Sequence, residues 1–542
     1  MKNKKLKIFL KKYWIEICLL IITPIIASSY GITEFPVLKD MGFFSYLGQE
    51  ILRGYPVYST AFELKPPLIP FFFAFSMSVF NFLPQYLSIR LFMLIVITIM
   101  ILLFYEVLLK IFNDKLISVL SALILISFSF FVEMFLLGDS KGVAIFFGLL
   151  TFFLIYKRYY LLSGISASLC FLFYQITFLF LLSPLFFIFL ERRKHCIEIK
   201  KYGKIFLGFF VPLILLVFYF FFYGSVRDLI DYSIIYPLKY EAEINWNLWT
   251  VLNVLGYYCS EFFFLLIGSI CFLYFSFKCT YKMIKNHSLG IIYKNKYLTV
   301  FILPFLLYML FIPKFFEGGT HLIVLLPFIS VLTAFILIKI RDYLTKIIPN
   351  KILTILLIAI VCVYGFLPAL QPVYPENPIL RERNNFSSSN SPFELISQIQ
   401  KKYGVLNSLL LFLFHRPGEE ITIKHQLELA GIIKNNTNEN EKILSLSSPE
   451  ILFLSQRRNM NKYPLFNTHE FQEIAEKKGE LDGIKGEIIK YKPKFILTDK
   501  GNFLEKFGLN EFVNKNYKEM DLETPLKNDY KVYTTINRGM NK

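Results

Sequence analysis

The stretch KDMGFFSYLGQEILRGYPVYSTAFELKPPL, residues 39–68, decides how this chain is read. It follows one long apolar segment and directly precedes another. Yet it carries Asp40, Glu50, Arg53, Glu63 and Lys65, with tyrosines between them and a Pro pair near its end. A connector between two membrane crossings needs no such density of ionisable groups. The stretch is either a turn between spans or a surface site, and the side of the membrane it occupies decides which.

Composition supplies the membrane. Of 542 residues, 55% are hydrophobic and 18% aromatic, with a mean hydropathy of +0.51. Soluble domains average about 45–50% apolar residues, and the excess here is gathered into runs long enough to cross a bilayer. The net charge of +18 therefore reports topology rather than nucleic acid, because many basic residues lie in short loops between apolar runs. The seven cysteines are scattered, none beyond Cys362, without a CxxC or Cys/His cluster, so neither a disulfide framework nor a zinc site is indicated. The basic start MKNKKLKIFLKKYW and the apolar run after it mimic a signal peptide, but are read as a retained first span because many more spans follow.

Apolar length places spans at 15–31, 86–109, 115–132, 141–156, 159–173, 176–190, 203–223, 250–277, 298–312, 320–338 and 352–371, about 11 in all. The run 67–83 is left over. If it does not cross, Lys2 to Lys12, Lys110 and Lys115, Lys157-Arg158, Arg192 to Lys204, Lys278 to Lys296 and Arg341 to Lys351 share one side, the cytoplasm. If it crosses, every later basic loop moves outside. The first reading is preferred, with 67–83 along the outer interface, its start fixed by Pro66, Pro67 and Pro70. The same logic splits 159–190 into two short helices meeting near Gln175.

The outer face then receives 32–85, 133–140, 224–249, 313–319 and everything after about 372. The terminal segment 372–542 is polar, rich in Asn and Lys, and long enough to be a domain. KILSLSS (442–448) and KPKFILTD (492–499) read as strands, and ITIKHQLELAGIIKNNTN (421–438) has helical spacing ending at Asn. NNFSSSNSP (384–392) reads as a linker. The expected architecture is a polytopic α-helical membrane protein over 1–371, with a small extracytoplasmic α/β domain over 372–542.

Each ionisable group on that face has an ordinary reading and a functional one. Asp40 is a solvated loop carboxylate, or a general base orienting an acceptor at the membrane surface. Asp139, with Glu133 earlier in the same loop, caps the next span or supplies a second acid. Lys65 snorkels to the headgroups or neutralises a phosphate held at that depth. Arg90, near the outer end of a span, needs a partner or a function to offset its cost. His321 is an interfacial anchor or a ligand. Lys239, Tyr240, Glu241 and Glu243 form a further polar group, a solvated loop face in the ordinary reading.

Together these residues resemble a known pattern. A span, then DMGFF (40–44), GYPVY (54–58) and KPPL (65–68), resembles the first outer loop of GT-C-type membrane glycosyltransferases, in particular bacterial relatives of the protein O-mannosyltransferases and of the aminoarabinose transferase that modifies lipid A. SIRLF (88–92), LSGISASLCFLFYQ (162–175) and HLIVLLPFISVLTA (321–334) add to the resemblance, which covers about residues 15–371 and continues at ILSLSSPEILFLSQRRNMNKYP (443–464). Departures are Phe44 where Tyr is commoner, a GYPVY element one residue tighter than usual, and Leu322 after His321.

The resemblance implies a GT-C-like fold and inverting transfer of a sugar from a polyprenyl-phosphate donor to a protein, lipid or glycan acceptor outside the cytoplasmic membrane. It implies Asp40 as the catalytic carboxylate, with Asp139 or Glu133 as second acid. It implies Lys65, Arg90, Arg53 and His321 toward the donor phosphate, and Tyr46, Tyr58, Glu63 and Tyr240 toward sugar or acceptor. No cofactor is indicated, and a divalent cation held by a carboxylate pair is left open. A lipid-linked-sugar flippase would show internal repeats and mid-membrane charges, and none is seen. A polysaccharide polymerase or ligase is a neighbouring enzymatic alternative, and a partner-binding envelope protein a non-enzymatic one.

Overall fold

The computed structural model describes residues 2–29, 33, 35–61, 63–191, 199–240, 296–311, 319–346, 348–370, 421–464, 475–476, 479–498, 504, 508–523 and 526–536. In chain order the helices are α1 (Lys2–Ser28), α2 (Lys39–Leu52), α3 (Leu68–Val79), α4 (Gln85–Phe112), α5 (Lys115–Ser127), α6 (Ser129–Leu136), α7 (Ser140–Tyr156), α8 (Tyr160–Phe173), α9 (Leu182–Glu191) and α10 (Ile199–Phe222). They continue with α11 (Val226–Ile230), α12 (Tyr236–Tyr240), α13 (Lys296–Phe311), α14 (Leu326–Leu344), α15 (Asn350–Leu370), α16 (Ile423–Asn435), α17 (Pro449–Ser455), α18 (Leu481–Tyr491), α19 (Asn510–Asn516) and α20 (Leu526–Asp529). The chain forms two compact units, one of 1–32, 91–215 and 244–418, the other of 33–90, 216–243 and 419–542. The expected span 250–277, the linker 384–392 and the boundary at 371–372 fall on or against residues outside those described.

The spans are less regular than apolar length suggests. Among the described residues, Gln85–Phe112, Ile199–Phe222 and Ile323–Leu344 are long and apolar enough to cross a membrane. The expected span 115–132 breaks at Phe128, whose ψ of 103° ends α5 and restarts the chain as α6. The expected break near Gln175 is present. Tyr174 is extended, and a 3₁₀ segment, Gln175–Leu181, follows before α9. Thr177 Oγ1 donates to the carbonyls of Cys170 and Tyr174, satisfying groups that the break would orphan. Pro327 sits in the first turn of α14, where its missing N–H costs nothing, and a 3₁₀ segment, Gly319–Leu325, precedes it.

In the second unit the stretch 39–52 is a helix, not the loop expected. It packs on α3, whose 12 residues reach roughly 18 Å, short of a bilayer core of about 30 Å. The other face of α2 meets α17. Gly42 permits that contact, since a Cβ there would stand 2.3 Å from Glu450 Cα.

The terminal residues of this unit form a five-stranded sheet, order β2-β1-β3-β5-β4, from β1 (Lys442–Ser445), β2 (Arg458–Asn459), β3 (Phe495–Thr498), β4 (Tyr517–Glu519) and β5 (Lys531–Thr535). β1 runs parallel to β2 and β3, and β5 antiparallel to β3 and β4. The segments 442–448 and 492–499 read as strands each contain one, at 442–445 and 495–498, and β3 is buried along its whole length as its apolar run requires. α16 also forms, burying Gln426, Leu429, Ala430 and Ile433 on one face and ending at Asn436.

Gly42→Ala should separate α2 from α17 and destabilise this unit by about 1–3 kcal/mol. The check is the melting temperature and the protease resistance of residues 39–52 in detergent. An unchanged melting temperature would count against the close packing of α2 on α17.

Candidate active site

The second unit places Asp40 in the first turn of α2, where a carboxylate complements the helix dipole. Lys65 Nζ lies 3.3 Å from Asp40 Oδ2, and both side chains reach solvent. The same ammonium stands 4.9 Å from the ring centroid of Phe44, one turn along α2, so the aromatic of the DMGFF element serves as a platform for the lysine. The two ends of the opening stretch therefore meet.

The residues before Lys65 hold it in place. Glu63 is buried, and its Oε1 accepts the N–H groups of Leu64 and Lys65 at 3.0 Å each. Burial pushes the Glu63 carboxyl up to about 7; Lys65 opposes the shift and Asp40 adds to it. Tyr58 donates its hydroxyl to the Lys65 carbonyl at 2.9 Å. Its φ of +72° is a left-handed conformation that bulky residues rarely adopt. Rings of Phe220 and Tyr232 at 5.6 and 5.4 Å pin the side chain. The tight GYPVY element thus ends in a strained residue that braces the KPPL turn.

Arg90, Arg53 and Tyr46, expected toward donor or sugar, make other contacts. Buried Arg90 donates Nη2 to the carbonyls of Phe35 and Pro36 at 2.8 and 2.9 Å, and so holds the chain that leads into α2. Arg53 pairs with buried Glu50 at 2.7 Å and donates to the Gln456 carbonyl. Glu50 also receives Arg458 at 3.1 Å, and Arg458 stacks 3.9 Å over Tyr55. Buried Tyr46 accepts the N–H of Asn459. Tyr46 and Glu50 attach α2 to β2, Arg53 attaches it to the end of α17, and Arg90 holds the segment ahead of it. Lys239 is exposed; the side chain of Tyr240, and Glu241 and Glu243, lie outside the described residues.

The first unit holds a second cluster. Asp139 is the N-cap of α7, accepting the Lys141 N–H at 2.8 Å, as its capping reading has it. Its carboxylate also meets Lys141 Nζ at 3.1 Å. The Lys141 ammonium, almost fully buried, stands 5.6 Å from the centroid of Tyr174, whose hydroxyl is 2.5 Å from His321 Nδ1. Tyr308 donates to the His321 carbonyl at 3.0 Å. Glu133 is buried on α6. Neither Lys141 nor Tyr174 is among the site residues expected from sequence. A lysine in the first turn of an apolar helix opposes the dipole, and that misfit was a readable signal. Among the described residues, no group of three or more His, Cys, Asp or Glu could hold a metal ion.

Comparison with known proteins bears on the whole arrangement. The sequence model of the family described as dolichyl-phosphate-mannose-protein mannosyltransferase matches residues 64–220, a span that starts beside Lys65 and contains Arg90, Glu133, Asp139, Lys141 and Tyr174. No curated protein matches the chain by sequence. The crystal structure of ArnT from Cupriavidus metallidurans bound to undecaprenyl phosphate superposes with a TM-score of 0.58 at 10% identity, over 98% of this chain and 99% of that one. The archaeal oligosaccharyltransferase AglB from Archaeoglobus fulgidus, in complex with an inhibitory peptide and a dolichol-phosphate, gives a TM-score of 0.49 at 12% identity, over 98% of this chain and 75% of that one.

Because the Glu63 pKa is raised in the fold, the folded state holds more protons than the unfolded chain between the ordinary value of 4.5 and about 7. Stability contributed by the protonated carboxyl is therefore present at low pH and lost as pH rises through 7. Melting temperatures of wild type and Glu63→Gln across pH 5–8 should diverge in that window, the variant falling less steeply; parallel curves would rule the shift out.

With its family match and its superposition both pointing one way, the chain has a GT-C-type membrane fold and resembles the dolichyl-phosphate-mannose protein mannosyltransferases.

Proposed function

We propose that the protein transfers a sugar from a polyprenyl-phosphate donor to an acceptor hydroxyl at the outer face of the cytoplasmic membrane, with inversion. The observation that carries this reading is the contact of Lys65 with Asp40 at the start of α2. Lys65 is a point charge suited to a lipid phosphate at headgroup depth. Asp40 is suited to accept the proton of the attacking hydroxyl.

In the reaction, the acceptor oxygen forms a bond to the anomeric carbon while the bond from that carbon to the phosphate oxygen breaks. The leaving polyprenyl phosphate keeps the electron pair, Lys65 offsets its developing charge, and the acceptor proton passes to Asp40. Without donor and acceptor, the ammonium neutralises the carboxylate; a donor phosphate would compete for Lys65 and leave Asp40 free as a base. Glu63 and Tyr58 hold the lysine through its backbone, and Arg90 positions the chain into α2. The undecaprenyl phosphate bound to the ArnT structure and the mannosyl-phosphate donor in the family's description support a donor of this class.

Asp40→Asn should lower transfer in reconstituted vesicles by at least about 100-fold with expression unchanged. Near-normal activity would remove Asp40 from the mechanism. Lys65→Ala should raise the donor KM and lower kcat, with partial recovery in Lys65→Arg, as judged by release of polyprenyl phosphate. A defect confined to the acceptor KM would contradict the donor assignment.

A further inference from the structure

The helix that packs on α2, α17, has the sequence PEILFLS (449–455), and its one ionisable residue, Glu450, is buried. An acid in the first turn of a helix ordinarily sits in solvent and favours the helix dipole. Glu450 is placed otherwise. Both of its carboxyl oxygens are enclosed, and neither makes a close hydrogen bond among the described residues. A carboxylate held there as an ion would be costly, whereas a neutral acid packs much as a glutamine would.

The position of Glu450 gives it two holds on the segment that carries Asp40. The first is direct. Gly42 of α2 lies against it, since a Cβ there would stand 2.3 Å from Glu450 Cα and 2.5 Å from its Cβ. The second is a relay. The Tyr530 hydroxyl, just after α20, stands beside the carboxyl and accepts the Nε2–H of Gln426 at 3.2 Å. The same amide accepts the Val37 N–H and donates to the Val37 carbonyl, three residues ahead of Asp40.

The charges around Glu450 come from each element packed on it. From α2, Lys39 acts on it, while Glu50 further along is held by Arg53 and Arg458. From α16, Gln426 reaches it through Tyr530, and His425 is turned to the helix cap at Thr422. Asp529 ends α20. Burial pushes the Glu450 carboxyl up to about 7; its own backbone N–H, Tyr530 and Lys39 oppose the shift and Asp529 adds to it.

We propose that Glu450 is a positioning residue that seats the start of α2 as a neutral acid, and that its ionisation loosens α2 and the Asp40 it presents. When α2 opens, Glu450 meets water and regains the ordinary value of 4.5. Opening is therefore most strongly opposed below 4.5, becomes easier as pH rises toward 7, and levels off above it. The consequence for catalysis rests on the glycosyltransferase reading. The loosening of α2 does not, and it is read without donor or acceptor, so a failed transfer assay leaves it standing.

The experiment is hydrogen exchange by mass spectrometry on the full chain in phosphatidylcholine nanodiscs from pH 5 to 8.5, corrected for intrinsic exchange. Opening of residues 39–52 should grow by about threefold to tenfold per pH unit up to 7 and then level, tenfold being the limit for one proton. Glu450→Gln, which keeps the neutral acid's size and polarity, and Glu450→Leu should both give a flat profile. Glu450→Gln should also keep the protection that the wild type shows at pH 5. Glu63→Gln, at the other titrating carboxyl of this unit, should leave the slope in place. A flat wild-type profile, a slope that survives both Glu450 substitutions, a slope lost in Glu63→Gln, or lost protection at every pH in Glu450→Gln would each overturn the proposal.

Discussion

Three consecutive residues ahead of α2 have their backbone held from two directions, and the site depends on that grip. Arg90, on α4, takes the carbonyls of Phe35 and Pro36. Gln426, on α16, accepts the Val37 N–H at 2.7 Å and donates to its carbonyl at 3.0 Å. One side-chain amide thus completes both hydrogen bonds of Val37, as a neighbouring strand would. A guanidinium buried against carbonyls is costly to place and costly to lose. Asp40 follows Val37 by three positions, so its location is set by partners that do no chemistry.

From there the constraint runs along α2. Asp40 and Phe44 lie near its start, beside Lys65. Further on, Gly42 touches α17, and Glu50 is buried between Arg53 and Arg458. Such a buried ion cluster adds little net stability, because desolvation offsets much of the attraction. Removing one partner, however, strands a charge. The cluster therefore fixes which face of α2 meets β2, and through it the direction in which the helix presents Asp40. The strained Tyr58 is held by stacking and by one hydrogen bond, and it sets the height of the KPPL turn on the other side of the pair.

How far the sequence could be read follows from where each partner lies along the chain. The strands at 442 and 495 and the stop at Asn436 rest on local patterns, and the break at Tyr174 on the side that the basic loops must share; each was legible. Asp40 and Lys65 were each marked by charge in an apolar setting, but their contact with one another was not. The helical state of 39–52 was not legible, since Gly42, Gly48 and the aromatic residues Phe43, Phe44 and Tyr46 weaken local propensity and the helix is supported by α3 and α17. Arg53 and Tyr46 were read as ligand-facing because their actual partners, Gln456 and Asn459, lie some 400 positions away. Arg90 illustrates the same limit: its cost inside a span could be read, but not the carbonyls that take it up. The break at Phe128 was marked only by its two flanking serines, Ser127 and Ser129, in a run whose apolar length suggested one span.

The glycine at position 42 carries a further implication, for the order of biogenesis. Its missing Cβ is needed only once Glu450 arrives, and Glu50 is neutralised in full only once Arg458 arrives, 408 residues later. During synthesis the early segment leaves the ribosome long before its counterparts exist. Until then the helix that carries Asp40 lacks the packing and the ion pairs that fix it in place. Late fixing of α2 is thus built into a single hydrogen-for-methyl choice, and a protease footprint of arrested chains would register it as exposure of residues 39–52.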